Sequence, residues 1–129
     1  MVGKIMTKGE IAKLNFESGM NCAQAVVLAF KDEMGLSEDA LKKLIIGFGG
    51  GFARQRYVCG AVSGMTMVIG YLKSDGNDKL GAYAIVKSAC DEVASLTGSI
   101  ICSELMGANK IPCAEICKIV ADVTAKYVK

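Results

Sequence analysis

Apolar positions recur at helical spacing along most of the chain, and capping residues punctuate them. Thr7-Lys8-Gly9-Glu10 is a capping-box pattern that opens a first helix, ending near Ser18-Gly19. Asn21-Cys22-Ala23-Gln24 opens a second, running to about Met34-Gly35 with Val26, Val27 and Phe30 toward the core. Ser37 caps a third, with Glu38 and Asp39 in its first turn and Leu41, Leu44 and Ile45 apolar. That helix stops at a glycine cluster, Gly47 to Gly51. The run from about Val58 to Leu72 is apolar nearly all round, so it predicts a central helix.

Beyond the turn Ser74-Asp75-Gly76-Asn77, a helix over about Asp78 to Leu96 puts Tyr83, Val86, Cys90 and Val93 on one face and ends at Thr97-Gly98. Ser99 caps a short helix to Met106-Gly107, and Pro112 starts a last one to about Val128. Strand alternation finds no sustained match. The expected fold is all-α: one domain over residues 1–129, a bundle of about six to seven helices around the central apolar one.

Composition narrows the function classes. The 129 residues are 52% hydrophobic, enough for a core, and a net charge of +2 with dispersed basic residues gives no nucleic-acid footprint. The first ten residues have the charges of Lys4, Lys8 and Glu10 and no apolar core of a signal peptide. The uncharged run Tyr57 to Leu72 is too short and too glycine-rich for a membrane span. The expectation is a cytoplasmic protein that is not membrane-embedded. With no histidine in the sequence, a Ser-His-Asp triad, a Cys-His dyad and a His-ligated metal within the chain are excluded. Cysteines and carboxylates carry whatever chemistry there is.

The six cysteines are Cys22, Cys59, Cys90, Cys102, Cys113 and Cys117. Four of them, Cys22, Cys59, Cys102 and Cys113, fall in the first turn of an expected helix, where free N–H groups favour a thiolate. Cys117 follows Cys113 by four residues, on the same helix face, a spacing that suits two ligands of one metal or two thiols facing a third. Cys90 sits on a packing face, where a cysteine is a small core residue. In a reducing compartment such a set is redox-active or metal-binding more often than a structural disulfide framework.

Cys59 closes the most unusual stretch, Gly47-Phe48-Gly49-Gly50-Gly51-Phe52-Ala53-Arg54-Gln55-Arg56-Tyr57-Val58-Cys59. The glycines lack the Gly-Lys-Ser/Thr ending of a phosphate loop, and they read as a close backbone approach to Cys59. Arg54 and Arg56 read equally as a solvated face or as thiolate-tuning cations, and Tyr57 and Tyr71 as core-edge residues. Cys59 is the expected attacking thiol, its sulfur left open on one side by Gly60, on condition that it is partly accessible, since burial opposes a thiolate.

The chain resembles the redox-active protein family named for its C_GCAxxG_C_C cysteine pattern. Cys22 matches the first cysteine, Cys59-Gly60-Ala61-Val62-Ser63-Gly64 the central motif, Cys102 the third cysteine and Cys117 the fourth, with Cys113 as the other candidate for that place. Where the pattern writes Gly-Cys, this chain reads Cys59-Gly60. The resemblance covers about residues 10 to 128. It implies redox activity, and family members' frequent encoding near transporters implies a transporter-associated partner.

Three functions fit the sequence. One is a thiol–disulfide oxidoreductase, in which Cys22, Cys59, Cys102 and Cys117 cycle with a redox partner protein. The second is a metal module, the same four thiolates caging zinc or an iron–sulfur cluster, with Cys113 in place of Cys117 as a variant. The third is a non-catalytic helical binding or scaffold domain. A homodimer is compatible with each.

Overall fold

A computed structural model describes residues 6–106 and 111–129. The elements are α1 (Lys8–Glu17), α2 (Cys22–Leu28), α3 (Lys31–Met34), α4 (Glu38–Ile45) with a 3-10 turn (Ile46–Phe48), α5 (Gly60–Lys73), α6 (Lys79–Thr97), α7 (Cys102–Leu105) and α8 (Cys113–Tyr127). There is no sheet among the described residues; Val58 and Ile101 form an isolated antiparallel bridge. The all-α expectation holds.

Local chemistry sets the helix starts. Thr7 and Asn21 each make both halves of a capping box, with Glu10 and Gln24. Ser37 accepts from the Ala40 amide and Asp78 from the Gly81 amide, as N-caps. Gly35 and Gly98 end α3 and α6 in the left-handed region.

The second expected helix is two. At Ala29 and Phe30 the amides bond back three residues, to the Val26 and Val27 carbonyls, and the Ala29 carbonyl accepts instead from Lys8 Nζ at 3.1 Å. That turn seats the Phe30 ring in the core beneath the Lys8 ammonium, 5.3 Å from the ring centroid. The central helix also starts later than expected, at Gly60, because Tyr57 and Val58 are drawn into the bridge with the segment before α7.

The core lies around α2 and α5 together. Every α2 residue from Ala23 to Leu28 is buried, and α5 buries Ala61, Val62, Met65, Val68 and Ile69 while Thr66 and Tyr71 face out. Gly64 lets the two helices close up: a Cβ there would stand 3.0 Å from the Ala23 carbonyl oxygen. α8 packs across α5, α6 and α2, and α1 packs on α8, with the Gly9 amide donating to Asp122 Oδ1 at 2.7 Å. On α6 the buried face is Ala89, Val93 and Thr97. Tyr83, expected inside, is exposed, and Val86 and Cys90 are half-buried. No helix among the described residues is long and apolar enough to cross a membrane.

Candidate functional site

Four cysteines from four helix starts meet at one cleft. Cys22 is the first residue of α2, Cys59 caps α5, Cys102 opens α7 and Cys113 opens α8. Together with Arg56, Gly50, Gly60 and the apolar side chains of Leu105, Met106, Ile111 and Ile116 they line a cavity of about 50 Å³. That volume admits only a few non-hydrogen atoms. Cys117 lies one turn deeper on α8, fully buried, with its thiol directed at the Cys22 carbonyl oxygen at 3.9 Å. Cys90, on α6, lies outside the cleft lining. All six cysteines are free thiols.

The bridge aligns two of the four. The Cys59 amide donates to the Ile100 carbonyl at 2.8 Å and the Cys102 amide to the Tyr57 carbonyl at 2.6 Å. Cys59 and Cys102 thereby flank the Val58–Ile101 pair on the same side, as diagonal neighbours. No hairpin turn or sustained alternation announces so short a pairing; its only trace in the sequence is the apolar dipeptides Tyr57-Val58 and Ile100-Ile101.

Glycine makes room for the other sulfurs. A Cβ on Gly60 would stand 2.5 Å from Cys22 Sγ and 2.7 Å from the Phe48 carbonyl oxygen. The space beside Cys59 that its glycine neighbour was expected to leave open is therefore filled by the Cys22 thiol. A Cβ on Gly51, at φ +74°, would stand 2.9 Å from Cys102 Cβ. Within the cluster it is thus Cys102, rather than Cys59, that comes into close backbone contact, at Gly51, while Cys22 does so at Gly60.

Between the cluster and Cys59 the backbone turns left-handed. Gly50 and Gly51 have positive φ, and so do Phe52 (61°), Ala53 (53°), Arg54 (65°) and Arg56 (68°). Such angles cost a residue with a side chain about 1–2 kcal/mol each. Amides returning to carbonyls five and six residues back hold the turn: Ala53 to Gly47, Arg54 to Gly49, Arg56 to Gly50 and Tyr57 to Gly51. The Phe48 and Phe52 rings pack at 5.1 Å across it. The outcome is a half-buried Arg56 whose Nη1 donates to Cys102 Sγ at 3.7 Å.

The condition set for Cys59 fails. It is 5% exposed. Desolvation, then the charges of Cys22 and Cys102, push its thiol up to about 12, and the Val62 and Ala61 amides at the helix start offset this only in part. Desolvation also pushes Cys117 far up, with Cys22, Cys59 and Cys113 adding to it. Cys113 is exposed as a residue, yet desolvation of its thiol raises it, followed by Cys22 and Cys102, with Arg56 opposing. Burial raises the half-buried Cys90 too. Desolvation foremost, and negative charge on a neighbouring cleft sulfur after it, thus disfavour the Cys59 and Cys113 thiolates.

Because Cys59 is raised from 9.0 to about 12 on folding, its contribution to stability is complete below pH 9 and is lost as pH rises toward 12. We expect the denaturant stability of the reduced protein to fall above about pH 9, and Cys59→Ser to flatten that fall by up to about 1.4 kcal/mol per pH unit. Urea titrations at several alkaline pH values measure both slopes.

The thiolate-cage expectation for zinc or an iron–sulfur cluster finds no counterpart in this geometry. Among the described residues no three Cys, Asp or Glu side chains are placed to hold one metal ion. The matched sequence pattern decides the family. Residues 20–127 match the family described as "Putative redox-active protein (C_GCAxxG_C_C)". The chain belongs to this family. The family's region takes in every cysteine of the cleft and Cys117 beneath it. Neither the curated proteins nor the solved structures offer a match.

Proposed function

We propose that the protein is a thiol–disulfide exchange protein whose working cysteines are Cys22, Cys59 and Cys102, with Cys113 and Cys117 on α8 as the candidates for the fourth. The observation that carries this reading is the meeting of four thiols, from helices far apart in sequence, at one small and largely apolar cleft. A packing role would leave the thiols apart from one another, as Cys90 is from the cleft.

The coupling between the thiols suits exchange chemistry. One thiolate forms in the cleft and adds to the desolvation that keeps its neighbours protonated. It attacks a partner's disulfide, forming a mixed disulfide and releasing one partner thiolate. That bond removes the negative charge, so a neighbouring thiol ionises more readily than before. The neighbour attacks the cleft sulfur, closes an intramolecular disulfide and releases the second partner thiolate. The protein has lost two electrons and the partner, now a dithiol, has gained them. The small cavity selects partners that present a disulfide at an exposed tip. The lining, apolar and sulfur-rich apart from Arg56, fits sulfur better than a hydrated ion.

The test is a thiol titration of anaerobically purified protein before and after equilibration with oxidised glutathione, with metal analysis on the same sample. Six free thiols falling to four or two, without bound metal, is the expected result. Visible absorbance with stoichiometric iron and sulfide would instead support a cluster. Six thiols that all resist exchange would support a scaffold role.

A further inference from the structure

We propose that Cys102, rather than Cys59 or Cys22, is the attacking thiol, and that Arg56 is the charge partner that holds its sulfur ready at the cleft. The inference rests on the exchange function proposed above and assigns the first step of it.

The Cys102 sulfur has two polar neighbours. Arg56 Nη1 donates to it at 3.7 Å, and its own thiol reaches Met106 Sδ at 3.9 Å. A guanidinium against sulfur is the contact that favours thiolate over thiol. Arg56 is fixed there from both sides of its peptide. Its amide donates to the Gly50 carbonyl at 3.2 Å and its carbonyl accepts from the Ser103 amide, also at 3.2 Å. The second bond joins the arginine to the residue next to Cys102, so cation and sulfur move as one unit. The left-handed turn exists at the cost of several unfavourable φ angles in residues that carry side chains. Strain of that kind persists where it positions something. Here the residue at its end, itself at φ +68°, places the cation on the thiol.

The other thiols lack this arrangement. Cys102 is itself buried, at 9% exposed, so what sets it apart is the guanidinium on its sulfur. Cys59 and Cys117 are buried and strongly resist ionisation. Cys113 is exposed and Arg56 opposes the rise that desolvation gives its thiol, but the Arg56 hydrogen bond goes to Cys102. Among the described residues the arginine-to-sulfur hydrogen bond goes to Cys102 and not to Cys22. Arg54, two residues before Arg56, is exposed. In the step assigned here, Cys102 Sγ bonds to one sulfur of the partner disulfide and the S–S bond breaks. The other partner sulfur leaves as thiolate, and a second cleft thiol then displaces the first partner sulfur from Cys102.

Iodoacetamide, uncharged and small, tests the assignment on reduced protein. Alkylation is read residue by residue by mass spectrometry between pH 6 and 9. Cys102 should react fastest at pH 7. Arg56→Gln should slow it about tenfold at that pH and move its pH–rate curve to higher pH. Arg56→Lys should restore most of the rate, and Arg54→Gln should leave it unchanged. A Cys102 that reacts no faster than Cys22 or Cys113 overturns the assignment, and because that ranking is read on the unaltered protein it holds whether or not a variant folds. An unchanged pH–rate curve in Arg56→Gln overturns the role of the arginine. A protein that alkylates in this order yet never exchanges with oxidised glutathione would sink the exchange function, and with it the attacking role, and leave standing only the activation of Cys102 by Arg56.

Discussion

Replacing Gly60 with alanine is expected to destabilise the protein by about 2 kcal/mol and to dismantle the cleft at the same time. Two effects compete. Alanine at a helical position is favoured over glycine by roughly 0.5–1 kcal/mol. Against this, the added methyl would lie 2.5 Å from Cys22 Sγ, 2.7 Å from the Phe48 carbonyl oxygen and 3.2 Å from the Gly49 Cα. The sulfur can rotate away, but the other two atoms are backbone, held in the 3-10 turn and the start of the left-handed turn. Overpacking of this kind costs about 1–3 kcal/mol or more, so the clash outweighs the propensity gain. The Cys22 thiol would be pushed out of its place beside Cys59, and its alkylation should speed up several-fold while oxidation by glutathione disulfide slows. Thermal melting with per-residue alkylation measures both. A variant as stable as the wild type, with the same thiol ranking, would contradict the packing described around Gly60.

Phe30→Ala should be the more destabilising change, by about 3–5 kcal/mol, and should leave the cleft chemistry in place. The Phe30 side chain is 1% exposed and is held at the break between α2 and α3, under the Lys8 ammonium. Lys8 also bonds the Ala29 carbonyl and pairs with Glu33 Oε2 at 2.5 Å, so the ring, the cation and the acid close the junction of α1, α2 and α3 together. Removing the ring leaves a cavity that surrounding backbone cannot fill and removes the cation–π contact. Phe30 lies eight residues beyond Cys22, about 12 Å along the chain at helical rise. Below its lowered melting temperature, roughly 10 °C or more under that of the wild type, the variant should keep the thiol ranking. Calorimetry and alkylation at low temperature separate the two claims. Loss of the ranking without loss of fold would show that the core junction and the cleft are not independent.

The helices were legible because their starts are chemical. Capping boxes at Thr7 and Asn21 and the serine cap at Ser37 are read from side chains next to the backbone they satisfy. Ser99, read the same way, is overruled: α7 starts at Cys102 behind Ile101, with no side-chain cap. The meeting of cysteines was legible for the same reason: a cysteine at the start of a helix goes where the helix start goes. What escaped was set by distance. The short bridge between Tyr57-Val58 and Ile100-Ile101 joins segments more than forty residues apart and has no turn to announce it. Without it, Arg56 had no reason to be assigned to Cys102, and proximity in sequence pointed to Cys59 instead. The left-handed turn escaped because Phe52, Ala53, Arg54 and Arg56 are not residues that favour it. Bonds to the Gly47–Gly51 segment, and at Arg56 to Ser103 and Cys102, hold them there. The Gly60 contact was misread in the same way, since nothing near it in sequence says that its missing side chain is the seat of the Cys22 sulfur.

The most direct test is to oxidise the reduced protein in a glutathione redox buffer, trap it with acid and iodoacetamide, and map its disulfides by peptide mass spectrometry. The account predicts an intramolecular disulfide joining two of the cleft cysteines, Cys102 to Cys22 or Cys59 first, with Cys90 alkylated as a free thiol throughout. Cys102→Ser should abolish the mixed disulfide with glutathione that precedes it. A protein in which the cleft cysteines stay reduced while Cys90 is the residue oxidised would contradict the account.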